Sequence, residues 1–159
     1  MVIIMFKKIA ILSLALFSTS VFATAKGNHH FPGIFVGATT IDDKTDFSYG
    51  LEYEYKFTRT FGAGFVMENT DDAHEGAGVE VKLVSAYFHP IHHVRIGLGF
   101  GEEKVNGSHG HASHEEDLVR VSANYDFVVG DFEIAPTIAF DFVDGETSTV
   151  LGVAFIRPF

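Results

Sequence analysis

The side chains best suited to chemistry in this sequence lie in one short stretch. From residue 106 to residue 117 the chain reads NGSHGHASHEED, so three imidazoles are followed by three carboxylates. Imidazole and carboxylate groups are suitable ligands for Zn²⁺, Cu²⁺ or Ni²⁺. The candidate metal ligands are His109, His111, His114, Glu115 and Glu116, with His74 added from an earlier acidic stretch. The alternative is a hydrophilic exposed loop without a ligand, because a histidine-rich tract is only a compositional cue.

The rest of the chain, which must position those residues, reads as strands and turns. From Phe47 to Phe57, five aromatic residues and Leu51 share one face of a period-two pattern, and charged or small residues share the other. Side chains of a β-strand alternate in this way, whereas a helical period does not sort these residues. The same pattern predicts eight strands, at about residues 32–41, 46–57, 60–69, 79–88, 93–101, 118–128, 132–142 and 147–159.

The connections between these strands alternate in length. Tight turns are predicted at 58–59, 89–92 and 129–131, and mostly longer, acidic loops at 42–46, 70–78, 102–117 and 143–146. The histidines at 89–93 are therefore predicted to form a hairpin turn rather than a site. Short turns at one end and longer loops at the other are typical of an outer-membrane barrel. The predicted fold is all-β, an eight-stranded antiparallel up-and-down transmembrane β-barrel formed by residues 24–159.

Composition excludes several classes of function. A chain of 159 residues forms one domain, and the absence of cysteine excludes disulfides and thiol catalysis. A formal net charge of −10 argues against nucleic acid as a partner and favours divalent cations.

The N-terminus predicts a signal peptide. Lys7 and Lys8 precede an apolar run at residues 9–17, and small residues follow, with cleavage points after Ala23 or Ala25. We assign residues 1–23 to the signal peptide, with cleavage after residue 25 as the alternative. The apolar run is too short to span a bilayer as a helix. Translation from Met5 instead of Met1 would also give a normal signal sequence.

Alternation alone does not decide which face meets lipid. A soluble, lipocalin-like barrel holding an apolar ligand would show the same period with its apolar face inward. Two features favour lipid outside: glycines recur on the polar face, as a narrow lumen requires, and aromatic residues form two bands around an aliphatic belt. The aromatic band near the loop end contains Phe47, Tyr49, Phe100, Phe140 and Phe142. The aromatic band near the turn end contains Tyr55, Phe57, Phe61, Tyr87, Tyr125, Phe127 and Phe132. The aliphatic belt between them contains mainly Leu51, Val81, Leu83, Ile96, Leu98, Val121, Ile134 and Ile138.

The polar faces predict a charged network inside the barrel. A narrow lumen cannot hold unpaired ions cheaply, so we expect hydrogen-bonded ion pairs centred on Lys82, Arg95 and Arg120. Such a network closes the lumen, and the excess of carboxylates leaves a narrow cation-preferring pore as the alternative. The predicted inward charges are Glu52, Glu54, Lys56, Glu68, Glu80, Lys82, Arg95, Arg120, Asp126, Glu133 and Asp141.

Catalysis has no recognisable constellation in this sequence. Ser85 is the serine predicted within the outward apolar belt, and His89 follows on the same face about 13 Å away, which is too far for a serine–histidine pair. The G-x-S-x-G and H-x-E patterns are absent. We therefore predict no catalytic residues and no required cofactor, with a lipid-modifying enzyme as the alternative.

The chain ends LGVAFIRPF, an alternating apolar strand that closes on an aromatic residue. With the eight strands and the aromatic bands, this ending resembles the small outer-membrane barrels of OmpA and OmpX type, over about residues 32–159. The resemblance implies an outer-membrane location, a monomer with a surface or structural role, and contact with outer-membrane lipid and lipopolysaccharide. It also implies that Phe155 and Phe159 are read by the barrel-assembly machinery. Arg157 and Pro158 depart from the usual ending, and Arg157 can snorkel into headgroups.

Overall fold

The computed structural model describes residues 27–71, 77–107 and 112–159. The predicted signal peptide and the candidate ligands His74, His109 and His111 lie outside these ranges. Within them, no helix has both the length and the apolar character needed to cross a membrane.

Antiparallel strands make up almost all of the described chain. Their bounds are β1 (His30–Ile41), β2 (Lys44–Lys56), β3 (Phe61–Thr70), β4 (Val79–Ile91), β5 (Val94–Val105), β6 (His114–Tyr125), β7 (Phe127–Val129), β8 (Phe132–Val143) and β9 (Glu146–Ile156). β6 and β7 pair with β8 in one continuous register, so they form a single barrel strand. That strand is interrupted opposite Pro136, which has no amide hydrogen to donate. The predicted eight-stranded antiparallel barrel is confirmed.

The barrel is closed by pairing between its first and last strands. Gly33 on β1 pairs with Glu52 on one side and with Ile156 on the other. The row of paired residues that starts at Glu52 continues through β3 to β6 and reaches β8 at Val143. The row that starts at Ile156 reaches β8 at Glu133, so the two rows meet β8 ten residues apart. This stagger tilts the strands, and eight tilted strands enclose an interior just wide enough for side chains.

Two of the four predicted acidic loops are tight turns. β1 joins β2 through Asp42 and Asp43, with φ of 48° and 63°, and β8 joins β9 through Asp144 and Gly145, with φ of 43° and 87°. Positive φ at both central residues is the type I′ hairpin geometry, which aspartate and glycine tolerate. The prediction of longer connections at 42–46 and 143–146 was wrong, because the flanking strands extend to the turn. The long connections at this end are those after β3 and β5.

The opposite end carries the chain termini and the other turns. The backbone amide of His30 donates to the carbonyl of Phe159 at 3.0 Å, and the amide of Phe159 donates to the carbonyl of His30 at 3.0 Å. The turn between β4 and β5 consists of His92 and His93, and the turn between β7 and β8 of Gly130 and Asp131. By the pattern of outer-membrane barrels, this end faces the periplasm.

The predicted division of faces is confirmed on most strands and is wrong on β4. On β2, β3, β5, β6, β8 and β9 the apolar set points outward, as predicted. On β4, Val81 and Leu83 are buried inside, and Lys82 and Val84 are exposed outside. This strand also carries Val84, Ala86 and Phe88 on its second face, so both faces are apolar and alternation alone does not orient it.

Near the loop end, the polarity of the wall is reversed on β4, β5 and β6. Here the outward face carries charges, at Glu80, Lys82, Glu102, Lys104, Glu115 and Asp117. The inward face packs into an apolar cluster of Val79, Val81, Leu83, Val105, Leu118 and Val143. We call this cluster the apolar cap. It packs the side of the extracellular mouth formed by β4, β5, β6 and β8. On the other side, buried Thr39, Ser48 and Thr70 form hydrogen bonds with one another.

Below that level, exposed apolar side chains surround the barrel. They include Ile34, Leu51, Phe65, Val84, Leu98, Val121, Ile138 and Leu151, one from each barrel strand. A continuous apolar ring of this extent is far larger than the patches that water-facing proteins expose, so the outer face contacts lipid. Tyr87, which we predicted in the turn-end aromatic band, instead lies inside and is buried, because it belongs to the reversed face of β4.

The apolar cap predicts a difference between two leucine-to-alanine substitutions. Leu118 is 1% exposed in the cap, and Leu98 faces lipid. We expect Leu118→Ala to destabilise the barrel by about 2–5 kcal/mol, because transfer and cavity terms add. Leu98→Ala should cost less, since fluid lipid fills the space. Urea unfolding in vesicles measures both, and a larger loss for Leu98→Ala would contradict the packed cap.

Candidate functional site

Arg120 is the centre of an ion-pair network in the upper part of the lumen. Its Nε and Nη2 atoms donate to the two carboxylate oxygens of Asp141 at 2.6 Å each, and its Nη1 donates to Glu68 Oε2 at 2.7 Å. All three side chains are buried. Arg120 and Asp141 are directly opposite each other on the neighbouring strands β6 and β8, so the bidentate pair lies along one wall. Glu68 comes from β3, so its pair with Arg120 crosses the interior.

Arg95 is the centre of a second network nearer the periplasm. Its Nη2 donates to Glu52 Oε1 at 2.7 Å and its Nη1 to Glu54 Oε2 at 3.4 Å. The second oxygen of Glu54 lies 2.7 Å from His89 Nε2, and both side chains are buried. The Tyr87 ring packs beside the Arg95 guanidinium, 5.2 Å from ring centroid to Cζ. A Cβ at position 62 would overlap the Glu54 carboxylate, so glycine there makes room for the pair.

His89 contradicts our prediction of a turn at 89–92. β4 continues to Ile91, and His89 lies on its inward face with Leu83, Ser85 and Tyr87. The turn starts three residues later, at His92. The alternation of β4 extended to residue 89 would have found this member of the network.

The space between the two networks is small. A cavity of about 30 Å³ lies there, lined in part by Glu52, Glu68, Arg95 and Arg120. This volume is about that of one water molecule. From the extracellular mouth toward the periplasm, the lumen thus contains the apolar cap, the Arg120 network and the Arg95 network, one after another.

The lower end of the network is less completely paired. Among the described residues, the buried Nε of Arg95 and Oδ1 of Asp126 have no hydrogen-bond partner. Lys56 Nζ lies 3.8 Å from the centroid of the Phe31 ring. Glu133 is half-buried on the inward face of β8, as we predicted for it. The charged side chains at the periplasmic mouth are therefore less completely paired than those around Arg120.

Glu80 and Lys82 do not belong to the lumen, which corrects our prediction for both. Lys82 Nζ lies 3.4 Å from Glu80 Oε2 on the outer wall, and the two side chains are 60% and 35% exposed. They face outward because the cap residues of β4 occupy the inward positions between them. The network is centred on Arg95 and Arg120 alone, without Lys82.

The predicted metal ligands are only partly described. His114 Nε2 lies 4.0 Å from Glu116 Oε1, both on the lumen-facing side of β6, and Glu115 points to the other side. His74, His109 and His111 lie outside the described ranges. Within those ranges, no group of three or more metal-ligating side chains converges.

Ser85 is placed differently from our prediction. It lies on the inward face of β4 and is buried, because the whole strand is reversed relative to the predicted faces. The serine on which the enzymatic alternative relied therefore does not face lipid.

The predicted assembly residues lie at the periplasmic end of the outer wall. Phe155 and Phe159 are both exposed. The Phe159 ring stacks on His30 with centroids 5.2 Å apart, and His30 Nδ1 lies 2.7 Å from the Tyr53 hydroxyl. The terminal residue is thus held by ring contact as well as by the backbone bonds to β1.

The buried Arg120 and the exposed Lys82 predict losses of stability of different size when the cation is removed. Arg120→Met leaves Glu68 and Asp141 buried without a counter-charge and should cost about 3–5 kcal/mol of stability. Lys82→Met removes an exposed pair on the outer wall and should cost no more than about 1 kcal/mol. Chemical unfolding of both variants in the same vesicles measures the difference. Similar losses for the two variants would mean that Lys82 also serves the interior.

Solved structures share the fold of this chain at low sequence identity. No protein-family model matches the chain, and no curated protein matches its sequence. The N-terminal β-barrel domain of Pseudomonas aeruginosa OprF is similar at a TM-score of 0.60 and 14% identity, covering 82% of this chain and 99% of that one. Neisserial surface protein A has a TM-score of 0.61 at 10% identity, with 86% and 100% covered. Ail of Yersinia pestis has a TM-score of 0.54 at 16% identity, with 85% and 100% covered.

These similarities concern the fold, and the lipid-facing belt agrees with them. The charged, side-chain-filled interior and the apolar outer ring are the reverse of a soluble lipocalin-like barrel. The chain therefore has the fold of the small eight-stranded outer-membrane β-barrels.

Proposed function

We propose that this chain is a closed barrel with a surface or structural role in the outer membrane rather than a pore. The observation that supports this role is the series of three barriers in the lumen. The apolar cap packs apolar side chains at the extracellular mouth, and the Arg120 and Arg95 networks hold charged side chains across the interior below it. An ion crossing the lumen would have to pass the apolar cap and break the Arg120–Glu68 pair, which crosses the interior.

The same architecture supports a non-enzymatic role. The wall below the cap presents an apolar ring to lipid, and Ser85 is turned away from it. A lipid-modifying enzyme needs a nucleophile and a base that meet lipid on the outer wall or at the upper mouth. The outer wall near the loop end instead carries charged groups of alternating sign, Glu80 with Lys82 among them.

Planar bilayer recording tests the closed lumen. We expect the purified wild-type chain to give no steady unitary currents, because no continuous water path crosses three barriers in series. Reproducible cation-selective currents would contradict the proposal. The Arg120→Met variant is the control for the route of any current: a current through the lumen should change in this variant, and one through bilayer defects should not.

A second candidate function is capture of divalent metal by the loop between β5 and β6. His114 and Glu116 lie 4.0 Å apart on one side of β6, at the point where the loop ends. This is the arrangement that an imidazole and a carboxylate need to share an ion. His109 and His111 would complete the ligand set, with Glu115 and His74 as further donors. The net charge of −10 favours cations at the surface.

Calorimetric titration with Zn²⁺ tests this candidate. We expect the refolded wild-type chain to bind Zn²⁺ saturably, and a variant with His109→Ala, His111→Ala and His114→Ala to lose that binding. The matched control carries His92→Ala and His93→Ala in the turn at the opposite end, and should bind as the wild type does. Equal affinities of the triple variant and the wild type would remove the loop as a metal site.

A further inference from the structure

The periplasmic rim has a notch beside the C-terminus. It has a volume of about 580 Å³ and lies where the β7–β8 hairpin meets the last residues of the chain. The residues that matter for its chemistry are Val128, Asp131, Phe132, Glu133, Arg157 and Phe159. The notch lies at the end of the barrel that carries the termini, which is the level of the headgroups of the inner leaflet.

Arg157 supplies the cation of this notch. Among the described residues it has no ion-pair partner, and its guanidinium lies against the Phe132 ring, 5.7 Å from Cζ to the ring centroid. Its backbone amide donates to the Pro32 carbonyl at 3.0 Å, which anchors the residue at the end of β9. An arginine stacked on an aromatic ring keeps its planar donors free, and those donors match the oxygens of a phosphate in a bidentate pair.

The other walls of the notch are of two kinds. Val128, Phe132 and Phe159 are exposed apolar side chains, which suit acyl chains or a glycerol backbone. Asp131 in the turn and Glu133 at the start of β8 supply carboxylates. The notch thus combines an apolar surface, one site for an anion and one site for a cation.

We propose that this notch binds a zwitterionic glycerophospholipid with a primary ammonium group, such as phosphatidylethanolamine. The phosphodiester pairs with the Arg157 guanidinium, the ammonium donates hydrogen bonds to Asp131 in the turn, and the acyl chains lie on Phe132 and Phe159. Charge complementarity selects this lipid over its relatives. A trimethylated choline head has no N–H to donate to the Asp131 carboxylate, and a glycerol head has no positive charge for it.

Native mass spectrometry of the refolded full chain in detergent tests the proposal. Phosphatidylethanolamine, phosphatidylcholine and phosphatidylglycerol with identical acyl chains are added separately, and the lipid-bound fraction is measured. We expect phosphatidylethanolamine to bind about tenfold more tightly than the other two, and Arg157→Gln to weaken binding of all three lipids, because each of them carries the phosphodiester. Asp131→Asn should reduce the preference for phosphatidylethanolamine over phosphatidylcholine and leave binding of phosphatidylcholine itself unchanged.

Two further variants keep the result unambiguous. Arg59→Gln is the matched control, since Arg59 is an exposed arginine in the β2–β3 turn at the same end but outside the notch. Arg157→Lys keeps the charge without the bidentate geometry and should bind at an intermediate level. Each variant is first checked for folding by its unheated and heated gel migration. Equal binding of the three lipids, or an equal loss in Arg59→Gln and Arg157→Gln, would overturn the proposal.

Discussion

The uninterrupted backbone ladder around the barrel is the interaction on which the rest of the structure depends. In hydrocarbon an unpaired N–H or C=O costs several kcal/mol, so a sheet crosses a membrane only when it has no free edge. Pairing of β1 with β9, from Gly33 with Ile156 to Thr40 with Thr149, removes that edge. Closure with eight strands then leaves an interior that side chains fill, so the contents of the lumen follow from the ladder.

The narrow interior is filled in two different ways along its length. Near the extracellular mouth, apolar residues pack around the buried Leu118. In the membrane, two arginines each collect carboxylates from other strands, and a bidentate pair joins Arg120 to Asp141. In both regions, contacts between side chains inside the lumen connect strands on opposite walls of the barrel. A barrel filled in this way has its free surface at the loops, the lipid face and the periplasmic rim, and these are the places where binding can occur.

Much of the fold was predictable because most strands have one clearly apolar face. The run from Phe47 to Phe57 has aromatic residues on one face and Glu52, Glu54 and Lys56 on the other, and the structure places them outside and inside as that pattern predicts. β4 was not predictable in the same way, because Val81 and Leu83 on one face are matched by Val84 and Phe88 on the other. Which face enters the lumen then depends on the residues of neighbouring strands with which it packs.

The sequence by itself determined the number of strands, the antiparallel order, the lipid-facing aromatic and aliphatic residues of most strands, and Arg95 and Arg120 as inward charges. These follow from local period and spacing, which a strand imposes on its own residues. Only the tertiary structure decided that Arg120 pairs with Glu68 and Asp141, and that His89 pairs with Glu54. It alone decided that Lys82 lies outside and that Arg157 stands beside a notch. Those contacts join residues far apart in the chain, and they depend on the stagger with which eight strands close, which no single stretch of sequence encodes.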